Sequence, residues 1–445
     1  MPIELCTIGG YSETGGNSTA IKIDDEVVIL DMGLNMENYI RYTEDEEICN
    51  LTYPELLKVK AVPDYKLIED WRNKVIGLVP SHGHLDHVGA IPFAASLFPN
   101  APIICTPYTA EVLRSIFSDE QIKIPNKLIP LNLNSIYKLS KQIQVELVNV
   151  THSIPHASLI VLHTPYGKIV YANDYKFDRQ PTLGKTPNFT RLQEIGKEGV
   201  LLLIVESLYA HEHKKTPSES VAQQMLKDVM LGVNIEGRAV VVTTFSSHLA
   251  RLKSIIDLGK KLNRKIIFIG RSLSKYVTAG QRIDLIDFES DVTLIKHRDK
   301  IEKMFKKIMK DGKHKYLLVV TGHQGEPKAI LSRLARKELP FSFSNGDIVI
   351  FSCSVIPVKL NKDNRDILER QLTNHGVRIF RDIHVSGHAA REDHRDLIEL
   401  IRPKHIIPSH GEKGKSMHMV SLAQEMGYKQ ERTVHVMEDG KRMIL

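Results

Sequence analysis

The chain has 445 residues, of which 42% are hydrophobic and 25% charged, with a formal net charge of +7. These values are ordinary for a globular protein and exclude a disordered or low-complexity chain. No apolar run reaches membrane-spanning length, the N-terminus lacks a signal-peptide pattern and the four cysteines show no CxxC spacing, so we expect a cytoplasmic protein with reduced thiols and no membrane partner.

In chain order, residues 3–8, 18–23 and 27–30 read as strands around the loop Gly9-Gly10-Tyr11-Ser12-Glu13-Thr14-Gly15-Gly16-Asn17, ending at Asp31-Met32-Gly33. A charged insertion over 35–71 carries Glu44-Asp45-Glu46-Glu47 and reads as short helices without an assigned role. The apolar strand 75–79 leads directly into Ser81-His82-Gly83-His84-Leu85-Asp86-His87. Strands and helices alternate to about 208, with strands at 102–105, 144–150, 158–163, 168–172 and 200–206. From about 216 the rhythm becomes repeated α/β units, with helices over 218–231 and 248–261 and strands over 238–243, 265–269 and 316–321. That pattern predicts a parallel sheet with crossover helices. Strands are expected again at 377–383, 405–409 and 432–437. The simplest organisation is a first domain over 1–208, an inserted α/β domain over 209–371 and completion of the first domain by 372–445.

The HxHxDH run places three imidazoles and a carboxylate within six residues. His82 and His84 can face one metal while Asp86 and His87, one turn on, reach a second. Imidazole nitrogen and carboxylate oxygen suit Zn²⁺. A dinuclear site needs further ligands, and His152, Asp174 and His410 each follow an expected strand. A carboxylate such as Asp174 can bridge two cations, and two metals form the clamp used in phosphoester hydrolysis. Asp31 also ends a strand; it reads either as a carboxylate that orients a ligating histidine or as a plain turn residue.

Charge is unevenly spread. Residues 209–371 hold 30 Lys+Arg against 18 Asp+Glu, whereas the remainder holds 30 against 35. A basic middle segment fits a polyanion, although Lys303, Lys306, Lys307 and Lys310 also fit a solvated helix face.

With these residues in place, the chain resembles the metallo-β-lactamase superfamily through Asp31, His82 to His87, His152, Asp174 and His410. It is similar to the β-CASP nucleases, with Glu206 resembling their motif A, His388 motif B and His410 motif C. Within that group it looks like the ribonuclease J family through Gly9-Gly10, Glu13, Asn17, Thr244-Phe245-Ser246-Ser247, Gly270-Arg271-Ser272 and Gly322-His323-Gln324-Gly325-Glu326-Pro327. The resemblance implies an α/β fold: a metallo-β-lactamase αββα sandwich with an inserted β-CASP domain, a parallel sheet with flanking helices. It also implies the compact, archaeal form, without the C-terminal domain or N-terminal extension of some relatives. His156 departs from the family pattern, because bacterial relatives usually place an acid there.

The function so implied is zinc-dependent hydrolysis of single-stranded RNA, with two Zn²⁺ and with Mn²⁺ or Mg²⁺ as substitutes in assays. The expected activity is a processive 5′→3′ exoribonuclease acting on 5′-monophosphate ends in RNA decay or maturation. An endoribonuclease of β-CASP type is the alternative, and a small-molecule metallo-hydrolase a more distant one. Asp86 is expected to hold the attacking water and accept its proton. His388, with Glu206, is expected to act either as general acid or as a hydrogen-bond donor to phosphate. The small residues and backbone amides of Ser386-Gly387-His388-Ala389, with Ser246, Ser247 and Arg271, are expected to cradle a 5′-phosphate. A homodimer, if formed, would use a surface such as the acidic insertion near 40–70.

Overall fold

A computed structural model of the protein describes residues 3–45 and 51–445. Glu46 and Glu47 of the acidic run, and Cys49, lie outside the described residues. The chain divides into two compact units, one of Met1–Arg179, Lys185–Thr216 and Gly387–Leu445, the other of Gln180–Gly184 and Pro217–Ser386.

The first unit holds two sheets. One has seven strands in the order Lys441–Ile444, Ile3–Gly9, Ser18–Ile23, Glu26–Leu30, Val75–Val79, Ile103–Cys105 and Leu128–Pro130. The other has six, in the order His405–Ser409, Val200–Glu206, Gly167–Ala172, Ser158–Thr164, Gln144–Asn149 and Ser135–Lys138. The strand Val200–Glu206 shows why its sequence is a continuous apolar run rather than an alternation. Leu202 and Ile204 enter the core shared by the two sheets, with Leu5, Val28 and Leu30 of the other sheet. Leu203 and Val205 face the helix-covered side, against Leu192, Leu397 and Met419. A strand buried on both faces needs apolar residues at every position. On the outer face of the first sheet, Ile68, Trp71, Ile91 and Leu113 pack over Ile29 and Leu78. Helices outside two sheets give the αββα sandwich that the family resemblance implied.

The second unit is built on a six-stranded sheet in the order Val292–Ile295, Lys265–Ile269, Tyr316–Val320, Val240–Thr243, Ile348–Phe351 and Arg378–Phe380. Every pairing is parallel, as the α/β rhythm predicted. No helix among the described residues is long and apolar enough to cross a membrane.

Two expected strands differ. Residues 432–437 form only isolated bridges, Val434 with Ile406 and with Gln430. The strand at the chain end is instead Lys441–Ile444, which pairs antiparallel with Ile3–Gly9. The strand expected at 377–383 is Arg378–Phe380; it extends the edge of the third sheet by pairing with Ile348–Phe351, rather than joining the histidine-bearing strands.

Candidate metal centre

Three residues at the heart of the first unit leave their strands with positive φ: Asp31 (57°), Asp174 (57°) and His410 (54°). Asp and His tolerate this left-handed conformation better than most residues. It ends each strand abruptly, and such strained positions cluster at functional sites. The HxHxDH loop is fastened to the first of these turns by backbone bonds: Met32 N to His87 O (2.8 Å), Leu34 N to Leu85 O (2.9 Å) and Asn17 N to Asp86 O (3.1 Å). Gly33 makes this approach feasible. A Cβ there would sit 1.7 Å from the Asp86 carbonyl oxygen.

The side chains then converge in three groups, each with donor atoms within 4.8 Å of one another: His82, His84, His152 and Asp174; Asp86, His87, Asp174 and His410; Asp174, Glu206 and His388. Asp174 belongs to all three. Its Oδ2 lies 3.1 Å from His87 Nε2, 3.5 Å from His152 Nε2 and 3.6 Å from His82 Nε2. Its Oδ1 lies 3.4 Å from His410 Nε2.

Four histidines are oriented through the nitrogen that points away from the cluster. His87 Nδ1 donates to Asp31 Oδ2 (2.7 Å), His152 Nδ1 to the Gly387 carbonyl (2.7 Å) and His410 Nδ1 to Asn17 Oδ1 (2.8 Å). His82 Nδ1 bonds Ser81 Oγ (3.0 Å), which itself donates to Asp31 Oδ1 (3.0 Å). These outer bonds orient each ring and turn its other nitrogen inward, the arrangement found around metal-ligating histidines.

Electrostatics agree with that orientation. Burial holds His82 and His152 well below the ordinary imidazole range, and pushes His84 and His410 down to about 3. All four are therefore neutral, as ligands must be. His87 runs the other way: burial opposes its protonation, but the carboxylates of Asp174, Asp31 and Asp86 outweigh burial and push it well up. Burial also raises Asp86.

The donor set fits a pair of divalent cations. His82 Nε2 and His152 Nε2 both lie within 3.1 Å of His84 Nδ1, a spacing at which neutral lone pairs repel one another unless a proton or cation lies between them. Asp174 Oδ1 is buried without a hydrogen-bond partner among the described residues, although such groups are nearly always satisfied. Nitrogen and carboxylate oxygen without thiolate is a set that zinc accepts and that manganese tolerates.

Beside the cluster, His388 Nδ1 donates to Glu206 Oε2 (2.8 Å). Burial opposes the charge on His388, but Glu206 and Asp174 carry its pKa up to about 9. The Ala389 amide, which we expected to be free for an anion, is donated to Glu206 Oε1 (3.3 Å). A buried carboxylate must collect donors, and this amide is within its reach. Glu206 also accepts from the Tyr175 amide (3.1 Å).

Ser246, Ser247, Arg271 and Ser386 belong to the second unit. There the loops beginning at Thr244, Gly270 and Thr321 each follow the C-terminal end of a parallel strand, the edge where open α/β sheets bind ligands. Ser246 Oγ bonds Ser272 Oγ (3.0 Å), and Arg271 is exposed at the start of the helix Arg271–Gln281. Gln324 is spent on its own unit, donating to the Ser354 carbonyl (3.0 Å) and accepting from the Ile356 amide (2.9 Å). Among the described residues, His156 joins none of the three groups and its buried Nδ1 has no hydrogen-bond partner; its ring lies 6.4 Å from that of Tyr108. The orienting roles of Ser81, Asn17 and the Gly387 carbonyl were not read from the sequence.

The sandwich, the parallel insertion and the His/Asp groups at the strand ends define a metallo-hydrolase of the metallo-β-lactamase superfamily with a β-CASP domain. Family comparisons agree, matching the metallo-β-lactamase superfamily over 11–192, the ribonuclease J β-CASP domain over 236–368 and the zinc-dependent metallo-hydrolase RNA specificity domain over 377–436. The chain is 42% identical to Ribonuclease J of Methanocaldococcus jannaschii over 442 residues, 99% of this chain and 98% of the relative. Ribonuclease J of Pyrococcus abyssi is also 42% identical, over 439 residues, 98% of this chain and 96% of the relative. The chain belongs to the ribonuclease J family, and so to the metal-dependent nucleases. A solved structure of an Enterococcus faecalis protein of unknown function covers 100% of both chains with a TM-score of 0.67 and 17% identity; that likeness shows the fold.

Proposed function

We propose that the protein is a two-zinc ribonuclease that degrades single-stranded RNA from its 5′ end, with a preference for 5′-monophosphate. The observation that carries this reading is the sharing of Asp174 between two His/carboxylate groups, with the His388–Glu206 pair forming a third. His82, His84 and His152 would hold one ion, Asp86, His87 and His410 the other, and Asp174 would bridge them. Bound there, the ions supply Lewis acidity, lowering the pKa of water and offsetting phosphate charge.

The chain's own groups do the rest. The Asp86 carboxylate is one-quarter exposed, the most open of the ligand carboxylates, so it can hold the attacking water and accept its proton. Glu206 fixes the Nδ1–H of His388, leaving Nε2 as the atom that donates to the scissile phosphate or the leaving oxygen. Asp31 acts through His87 and Ser81, orienting them. Family membership supports RNA as substrate, and the basic balance over 209–371 fits its phosphates. As the family resemblance implies, we assign Ser246, Ser247, Arg271 and Ser386 of the second unit, and Gly387 and His388 of the first, to phosphate binding; Ala389 is fully buried and its amide is given to Glu206. Cys6, Cys105 and Cys353 are buried and free, which supports a reducing, cytoplasmic setting. Light scattering will tell whether the chain is a homodimer.

The test uses one RNA sequence in three forms, 5′-monophosphate, 5′-triphosphate and circular. Mononucleotides from the monophosphate form with an intact circle are expected. Cleavage of the circle would make the enzyme an endonuclease, and failure on all three forms would overturn the ribonuclease reading.

A further inference from the structure

Three segments of the first unit meet beside His388, and each presents a ring. The Tyr209 ring lies 6.0 Å from that of His388, the His211 ring 6.2 Å from Tyr209 and the His418 ring 5.7 Å from His211. The row starts at a half-buried ring in the candidate centre and ends on two exposed histidines. The rings are tilted to one another by 46°, 31° and 51°, and the two at the end of the row are open to solvent.

The row is also rigidly built. Residue Tyr209 forms a parallel bridge with Ala390, two positions after His388. Arg391, only 2% exposed, uses one nitrogen, Nη1, to hold the carbonyls of Ala210 (3.2 Å) and of His418 (3.1 Å). Its Nη2 is anchored by Glu425 (2.6 Å). A single buried guanidinium thus ties the turn that carries His211 to the helix Lys413–Glu425 that carries His418. Elsewhere such a buried arginine secures core elements; here it sets the spacing of two exposed rings.

Single-stranded nucleic acid is held by rings on which unpaired bases stack, in reach of positive charge. Lys413 is exposed on the same helix as His418. We propose that Tyr209, His211 and His418, in a row leading away from His388, form a stacking lane for the unpaired bases next to the scissile phosphate. The lane rests on the ribonuclease reading and deepens it, since paired bases offer no free face and would be refused here. Arg391 is a positioning residue for the lane.

The test compares the zinc-loaded full chain with His211→Ala, His418→Ala and the double variant on a single-stranded 5′-monophosphate RNA. Stacking predicts that the double variant raises KM about tenfold or more, with kcat and zinc content unchanged. His211→Phe and His418→Phe are expected to restore KM, because a neutral ring still stacks; Phe variants as weak as the Ala variants would overturn the lane in favour of simple charge. Scanning one abasic nucleotide along the RNA should find a position where the Ala penalty disappears. A double variant with wild-type KM overturns the lane alone, whereas a wild-type enzyme that leaves RNA uncut overturns the ribonuclease reading beneath it.

Discussion

Two buried polar networks, one in each compact unit, are built in opposite ways. In the inserted unit, Arg251 is fully buried, yet each nitrogen is answered. Its Nε and Nη2 donate to the two oxygens of Glu219 (2.5 and 2.9 Å), and Nη1 to the carbonyls of Ser352 and Ile383 and to Ser352 Oγ. In the sandwich, four histidines are tied down on their outer nitrogens while their inner nitrogens face one another around Asp174, whose Oδ1 has no hydrogen-bond partner among the described residues. Both arrangements are buried and polar. Closure marks structure, because every desolvated group is compensated. Convergence without closure suits metal binding, because the inner donor atoms are turned toward one another.

The sharpest way to break this contrast is at the shared residue. Asp174→Ala should abolish turnover, beyond the roughly 100-fold that changes in orienting residues cost, and should remove both metals, read by elemental analysis. Retention of two metals by that variant would show that Asp174 does not bridge. His388→Ala is expected to lower kcat by about 100-fold or more, the scale of general acid–base catalysis, with metal content intact. Loss of metal there would move His388 from catalysis to ligation.

Much of this site was legible in the sequence, and the reasons are specific. His82, His84, Asp86 and His87 are local, so their spacing alone carries the chemistry. His152, Asp174 and His410 are distant, but each ends an apolar strand, and strand ends of one unit can meet. What could not be read was the outer layer. Asn17 reaches His410 across 393 residues, and nothing local to either residue encodes the pairing. The partner of His152 is the Gly387 carbonyl, a backbone atom that every residue possesses. The fold shows the same limit. Val434 and Val436 alternate as in a strand, but the true strand is Lys441–Ile444, largely exposed and without an apolar rhythm. Its place comes from the open edge of Ile3–Gly9, a tertiary fact.

Asp31 tests whether the outer layer matters in its own right. Asp31→Asn keeps the shape but loses the charge that fixes the Nδ1–H of His87. Metal affinity should fall by about 10- to 100-fold, measured by competition with a chelator, and excess metal should restore part of the turnover. Unchanged affinity would reduce Asp31 to a turn residue.

The smallest effect on chemistry is expected from the closed network. Arg251→Met removes the guanidinium that answers both oxygens of buried Glu219 and should cost about 3–5 kcal/mol in denaturant unfolding of the inserted unit. Metal content and kcat per folded molecule should stay at wild-type values. The double variant Arg251→Met with Glu219→Leu removes the stranded charge as well. It should recover much of the lost stability, because apolar replacements of a whole buried pair are often neutral or better. If the double variant is no more stable than Arg251→Met, the contribution of Arg251 lies in its bonds to Ser352 and Ile383, and the network is closed by the backbone rather than by the ion pair. If instead Arg251→Met loses metal, the division between a closed network and a convergent one fails at its simplest point.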